Sequence, residues 1–310
     1  MRVLFWGTPV FAVPTLRALS EEGHDVVGVV TQPDRPAGRG RKPTESPVKR
    51  AARAEGLTVL DPERPSGKAF LEALRDLGPD VSVVVAYGHI LGREVLDIPR
   101  LGSLNVHASL LPDLRGAAPV HWAVIRGYER TGVTVMRMVE GMDAGPILLQ
   151  EEEPIGPSET TAELSVRLSE VGAVALVEAL ALLSVGALEE REQDHDRATY
   201  APKVDRETAR ISWDRDARDV ANHIRGMDDN PGAWSTLGGA PIKIFRARPR
   251  PDGPEGSPGE VMRADVADGL LVATGTGAVE LGEVQPSGKR RMSAIDWIRG
   301  RGVAERDRFE

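Results

Sequence analysis

Residues 81–86, VSVVVA, form a near-continuous β-branched run, the pattern of a central parallel strand covered on both faces. Working outward from it, residues 2–6 (RVLFW) read as another short apolar strand, followed by Gly7 and a helix from about Pro14 to Ser20. Proline suits the first turn of a helix, and Gly23 supplies the stop. Residues 26–30 predict a second buried strand. Ser46 and Pro47 can cap a helix that runs to Arg53, and Ser66 opens another that Gly78 ends. Further strands are expected over 103–107 and 133–138, with a helix from about Ala118 to Arg126 between them. This alternation predicts an α/β fold, a Rossmann-like, doubly wound and mostly parallel sheet.

Beyond a long Ala-, Leu- and Val-rich helix over 159–183, residues 185–205 are charged and mixed and read as a linker. The grammar then changes. One helix signal (215–227) precedes five short strand signals, at 233–237, 242–248, 259–263, 270–274 and 279–284, separated by turn-rich segments. Little helix and many short strands suggest a small OB-like β-barrel. The expected organisation is therefore a catalytic domain over 1–184, a linker over 185–205 and a C-terminal domain over 206–310.

Bulk composition removes several chemistries. The 310 residues contain no cysteine, which excludes disulfides, thiolate metal sites and cysteine nucleophiles together. The six histidines (24, 89, 107, 121, 195 and 223) never share a ligand spacing, so no metal is expected. The N-terminus lacks a signal-peptide core, and no stretch approaches the ~20 apolar residues that cross a bilayer; the cytoplasm is the expected location. The first turn, Gly7–Thr8–Pro9, lacks the later glycines of a dinucleotide fingerprint, and Pro9 cannot donate an N–H, so pyrophosphate binding is not expected. The net charge of −8 resides wholly in the first 205 residues, because 17 basic and 17 acidic residues balance from Arg206 onward. Residues 31–53 nevertheless carry seven basic residues against two acidic ones, an arrangement suited to one defined piece of polyanion.

The strongest chemical signal is LNVHASLLPDLRGAAP, residues 104–119. Side chains alternate along a strand, so Asn105 and His107 project together, at the carboxyl edge where open α/β sheets place ligands. Asparagine offers a neutral donor to a developing oxyanion, and histidine moves a proton near neutral pH; the same pair could equally satisfy loop backbone. Arg115 reads as an anion contact or as helix-start chemistry. EGMDAGP (140–146) brings Asp143 out after the 133–138 strand, which predicts that it too emerges at the carboxyl edge and orients the imidazole. The alternative is a turn-forming Asp bonded to its own loop. TQPDRPAGRGRK (31–42) is a positively charged loop that either closes on phosphates or is a solvated surface loop.

These residues together resemble the methionyl-tRNA formyltransferase family, a branch of the folate-dependent formyltransferases. The resemblance rests on FWGTPVFA (5–12), TQPDRPAGRGRK (31–42), AYGHIL (86–91), NVHASLLPDLRGAAPVHWA (105–123) and GVTVMRMVEGMDAGPIL (132–148). It continues through TYAPKVDRETARISW (199–213), PGAW (231–234) and RMSAIDWIRGRG (291–302). It implies 10-formyltetrahydrofolate as formyl donor and the α-amine of initiator methionyl-tRNA as acceptor, in translation initiation. Asn105, His107 and Asp143 would be the catalytic trio. Ser109, Leu110, Leu111 and Pro112 would line the folate site, with Tyr87, Ile90 and Leu91 in the pterin pocket. Arg35, Arg39, Arg41 and Lys42 would clamp the tRNA acceptor end, the C-terminal domain would hold the acceptor arm, and the protein would act as a monomer. Asp229 and Asn230 stand where the family often has Pro–Trp, Val10 where an acidic residue is frequent, and Pro146 where Asp is common. The alternatives are formyl transfer to an amino-sugar nucleotide and a catalytically inactive tRNA- or folate-binding module.

Overall fold

The structure, a computed structural model, describes residues 1–37 and 42–310. Two compact units emerge. The first comprises 1–117, 131–153 and 165–200; the second comprises 118–130, 154–164 and 201–310.

In the first unit, β1 (Arg2–Gly7), β2 (Asp25–Val30), β5 (Val59–Leu60), β6 (Val81–Val85), β7 (Ser103–His107), β8 (Arg130–Arg137) and β9 (Ile147–Pro154) form one sheet in the order β5-β2-β1-β6-β7-β8-β9. The pairs β5–β2, β2–β1, β1–β6 and β6–β7 are parallel, whereas β8 runs antiparallel to β7. Helices α1 (Val13–Glu21), α2 (Pro47–Ala54), α3 (Lys68–Asp76) and the short α4 (Arg93–Leu96) occupy the crossovers. This is the expected Rossmann-like layering. Every residue of β6 is buried, as its β-branched run requires, and its Val84 shares one core cluster with Leu4, Trp6, Val30, Leu74 and Tyr87. A two-stranded ribbon, β3 (Arg35–Ala37) against β4 (Lys42–Thr44), flanks the basic segment; Arg39 and Arg41 lie outside the described residues.

Helix α6 (Thr161–Ser184) passes from the second unit into the first. The second unit contains α5 (Pro119–Ile125), α7 (Ala217–Gly226) and α8 (Ala294–Arg299) with β10 (Trp234–Leu237), β11 (Ala240–Arg250), β12 (Val261–Asp265), β13 (Gly269–Ala273) and β14 (Ala278–Pro286). These strands form an antiparallel, barrel-like sheet in the order β10-β11-β14-β13-β12, with β15 (Met292–Ser293) paired to β14. Its core gathers Trp213, Ile224, Met227, Ile244, Leu270, Val284, Trp297 and Phe309. Where the sequence departs from the family at Asp229 and Asn230, the preceding Asp228 is buried. It accepts two hydrogen bonds from Arg291, at 3.0 and 3.2 Å, and that guanidinium also lies over the Phe245 ring at 3.9 Å. Among the described residues no helix is long and apolar enough to cross a membrane, and no group of three or more His, Asp or Glu is placed to hold a metal ion.

The antiparallel β8 corrects one expectation. Arg137 pairs with Leu104 and Thr134 with His107, so the strand preceding Asp143 ends at the edge opposite the one where β7 delivers His107. The strand therefore cannot carry Asp143 to the carboxyl edge. The loop after it does so by doubling back. Gly145 lies so close to Arg137 that an added Cβ would sit 1.9 Å from the Arg137 carbonyl oxygen, and Asp143 itself adopts φ 50°, a left-handed conformation that Asp tolerates better than most residues.

Candidate active site

The first unit brings His107 and Asp143 together, with Asn105 two residues before His107 on β7. His107 is only 6% exposed, and its Nε2 lies 3.0 Å from the Leu114 carbonyl oxygen. A carbonyl oxygen only accepts, so Nε2 carries the hydrogen and Nδ1 is left for other work. Asp143 Oδ2 stands 3.7 Å from that Nδ1. The distance exceeds a hydrogen bond but lies within ion-pair range once the ring is charged. The same carboxylate oxygen accepts the Gly116 N–H at 2.8 Å, which fixes its position independently of the ring. Asn105 shares the His107 face of β7 by strand alternation. It is half-buried, and its carboxamide is hydrogen-bonded to no described residue.

The LLP loop is fastened to the sheet through Thr134. This buried hydroxyl donates to the Ser109 carbonyl oxygen at 2.6 Å and accepts from Leu111 N at 3.1 Å and from Gln150 Nε2 at 3.0 Å. Gln150 also donates to the Leu111 carbonyl at 2.9 Å. Ser109 Oγ donates to the Asp113 carbonyl at 2.5 Å, so its side chain serves the turn. Leu111 is buried with Met136 and Ile147, while Leu110 and Pro112 are half-buried.

The three residues expected at a pterin separate. The Tyr87 ring is 2% exposed and meets Trp6 edge-on, with centroids 5.2 Å apart; burial pushes its hydroxyl pKa up to about 12. What Tyr87 offers the adjoining loops is its carbonyl oxygen, which accepts from Thr8 Oγ1 at 2.9 Å and Gln32 Nε2 at 3.0 Å. Leu91 joins the same core, and Ile90 is 91% exposed. Val10, after β1, and Met142, beside Asp143, are also exposed apolar side chains. In the 86–91 loop, Tyr87 Oη and His89 Nε2 are buried without a hydrogen-bond partner. Of the basic residues expected to meet a polyanion, Arg35 is exposed in β3 and Lys42 begins β4.

Arg115 fits neither sequence reading. Its guanidinium is buried and donates to Gln193 Oε1, at 3.1 and 2.6 Å, and to His195 Nδ1 at 2.9 Å. Gln193 and His195 belong to the charged stretch expected as a linker, and so does Thr199, whose hydroxyl accepts from Leu114 N at 2.8 Å and donates to Asp113 Oδ1 at 3.2 Å. Nothing in the run REQDHDRAT marks these three for a site, because their partners are 48–86 residues distant along the chain.

Residues 1–180 match the formyl transferase family, and residues 203–302 match its C-terminal domain family. The chain is 45% identical over 309 residues to the methionyl-tRNA formyltransferase of Solibacter usitatus (strain Ellin6076), covering 100% of this chain and 98% of that one. It is 47% identical over 310 residues to the methionyl-tRNA formyltransferase of Aromatoleum aromaticum (strain DSM 19018 / LMG 30748 / EbN1), covering 100% and 97%. Among solved structures, HypX from Aquifex aeolicus in complex with tetrahydrofolic acid superposes with a TM-score of 0.67 at 21% identity. The match covers 96% of this chain and about half, 46%, of the HypX chain. The N-formyltransferase from Helicobacter canadensis, in complex with folinic acid and dTDP-3-aminofucose, reaches a TM-score of 0.67 at 16% identity, over 92% and 99%. With both of its parts matched and full-length relatives at 45–47% identity, the chain belongs to the formyl transferase family.

Proposed function

We infer that this chain transfers the formyl group of 10-formyltetrahydrofolate to the α-amine of methionyl-tRNA, giving formylmethionyl-tRNA for translation initiation. The full-length relatives that bear the name methionyl-tRNA formyltransferase support the acceptor, and the family match over residues 1–180 supports the folate donor. The observation that carries the chemistry is the pinning of His107 Nε2 by Leu114, which turns Nδ1 toward Asp143 beside the free Asn105 amide.

The roles follow from that geometry. The donor supplies an activated carbonyl on nitrogen. A bond forms between the methionyl nitrogen and the formyl carbon, and the bond from that carbon to the folate nitrogen breaks. Asn105 donates an N–H to the formyl oxygen as negative charge grows there. With the Nε2 hydrogen committed to Leu114, Nδ1 is the His107 nitrogen left to take up a further proton and donate it to that oxygen. Asp143 holds the imidazolium and, directly or through water, accepts the proton leaving the amine and returns it to the departing folate nitrogen. The proton count balances: one leaves the amine and one arrives on the folate.

Residues 1–184 would carry the chemistry. Arg35, Arg39, Arg41 and Lys42 would grip the acceptor end of the tRNA, and residues 206–310 would hold the acceptor arm. The protein would act in the cytoplasm as a monomer. The deciding experiment offers 10-formyltetrahydrofolate with methionyl-tRNA, an amino-sugar nucleotide or glycinamide ribonucleotide in separate reactions. Formylation of methionyl-tRNA is expected; formylation of another amine alone, or of none, overturns the reading.

A further inference from the structure

We propose that Gln193, oriented by Arg115, is a positioning residue that holds Asp143 in its working conformation; this rests on the catalytic reading of Asp143 given above. Gln193 is 5% exposed. Its Nε2 donates to the carbonyl oxygens of Asp143, at 2.9 Å, and of Gly145, at 2.7 Å. Its Oε1 accepts both bonds from Arg115. A guanidinium has only donors, so Arg115 fixes which end of the carboxamide is oxygen and obliges the NH2 end to face the two carbonyls. Arg115 is also 5% exposed and makes no ion pair among the described residues. A buried guanidinium without a carboxylate partner is costly to keep, and here two of its bonds orient the Gln193 amide while a third goes to His195 Nδ1.

The peptide carbonyls pinned by Gln193 flank Ala144 and set the direction of a loop that must double back from the far end of β8. Asp143 takes φ 50° in that loop. Left-handed backbone at a non-glycine residue persists where its surroundings impose it, and such residues gather at functional sites. Two others, Leu114 (φ 60°) and Ala86 (φ 47°), lie in the loops that border this site. The residue after Arg115 completes the grip, because Gly116 N–H bonds the Asp143 carboxylate itself. Arg115 N donates in turn to the Thr199 carbonyl at 2.9 Å. The 193–199 strand of chain is thus a strap across both loops of the site, and Gln193 is the point where it holds the Asp143 backbone.

Glutamate at 193 keeps the shape and the acceptors for Arg115 but sets a carboxylate against two carbonyl oxygens. The test is a double-mutant cycle on the full chain, with formyl transfer from 10-formyltetrahydrofolate to methionyl-tRNA as readout. Gln193→Glu is expected to lower kcat by about 10- to 100-fold, in keeping with a small misplacement of a catalytic group. Both KM values should stay within about twofold. In an Asp143→Asn background the same change should cost less than about twofold, since residues acting as a unit are non-additive. An equal loss in both backgrounds, or a kcat within about threefold of the parent, overturns the proposal. If the glutamate variant fails to show the parent's melting transition, Gln193→Met, of similar volume, is read in the same cycle with the same two outcomes. A parent chain inactive on methionyl-tRNA overturns the functional reading and this role with it, whereas an active parent with additive variants overturns the strap alone.

Discussion

Asn105 and His107 occupy the same face of one strand, yet the structure gives them different freedom. His107 is tied at Nε2 and faced by Asp143 at Nδ1, while the Asn105 amide has no described partner. A donor waiting unpartnered at an oxyanion is the arrangement in which one hydrogen bond matters most, because nothing must reorganise as charge develops. Asn105→Ala is therefore expected to lower kcat by roughly 10²–10³, about 2.7–4 kcal/mol of barrier. Folate affinity should change little. Steady-state kinetics with a folate-binding titration check this, and turnover within about threefold of the parent removes Asn105 from the chemistry. Side-chain burial drew the other distinction at this scale. Ser109 and Tyr87 stand in motif positions, but the hydroxyl of one closes a turn and the ring of the other fills the core.

Among the helices of the first unit, α2 owes its start to chemistry readable in the sequence. Ser46 Oγ accepts Lys49 N at 3.0 Å, Pro47 follows in the first turn, and the same hydroxyl meets Thr31 Oγ1 at 2.7 Å. Ser46→Ala should cost about 1 kcal/mol in chemical denaturation, the usual worth of a serine cap; no loss of stability would show that the Thr31 contact can be rearranged without penalty. Ser66 does not repeat the pattern, since Gly67 stands at the cap of α3 with no side-chain bond. The β3–β4 ribbon carries its prediction in its charge. Lys42→Ala should weaken use of methionyl-tRNA without changing folate binding and lower the salt slope of tRNA binding by about one. An unchanged slope would return the ribbon to ordinary solvated surface. Strand β9 escaped sequence reading because its run of three glutamates, 151–153, hides a strand at the sheet edge, where charge is tolerated.

On the scale of the whole molecule, a few carboxylates tie distant parts of the first unit together. Asp80 accepts Arg2 N at 2.8 Å and Arg100 Nε at 3.0 Å. The backbone bond from Arg2, followed by the Arg100 bond, holds its pKa below the ordinary 3.8. A depressed folded pKa means stability that is present above the unfolded value and is lost as pH falls through the folded one. Asp80→Asn should therefore be less stable than the parent at neutral pH, by no more than about 1 kcal/mol because solvent screens these exposed bonds. The gap should close as pH drops below 3.8. Melting curves across that range check it, and a gap independent of pH would show that the carboxylate charge contributes nothing.

The sequence by itself determined the layered α/β unit, the barrel-like antiparallel sheet and the pair Asn105–His107. Each of these rests on local signals: β-branched runs, side-chain alternation, caps and turn residues. Tertiary structure alone decided how Asp143 reaches the imidazole, which ring nitrogen is free, and that Gln193 and Arg115 grip the loop. These depend on the antiparallel course of β8 and on hydrogen bonds spanning 48–78 residues of chain, and pairings at such separations leave no periodicity for a sequence reading to find.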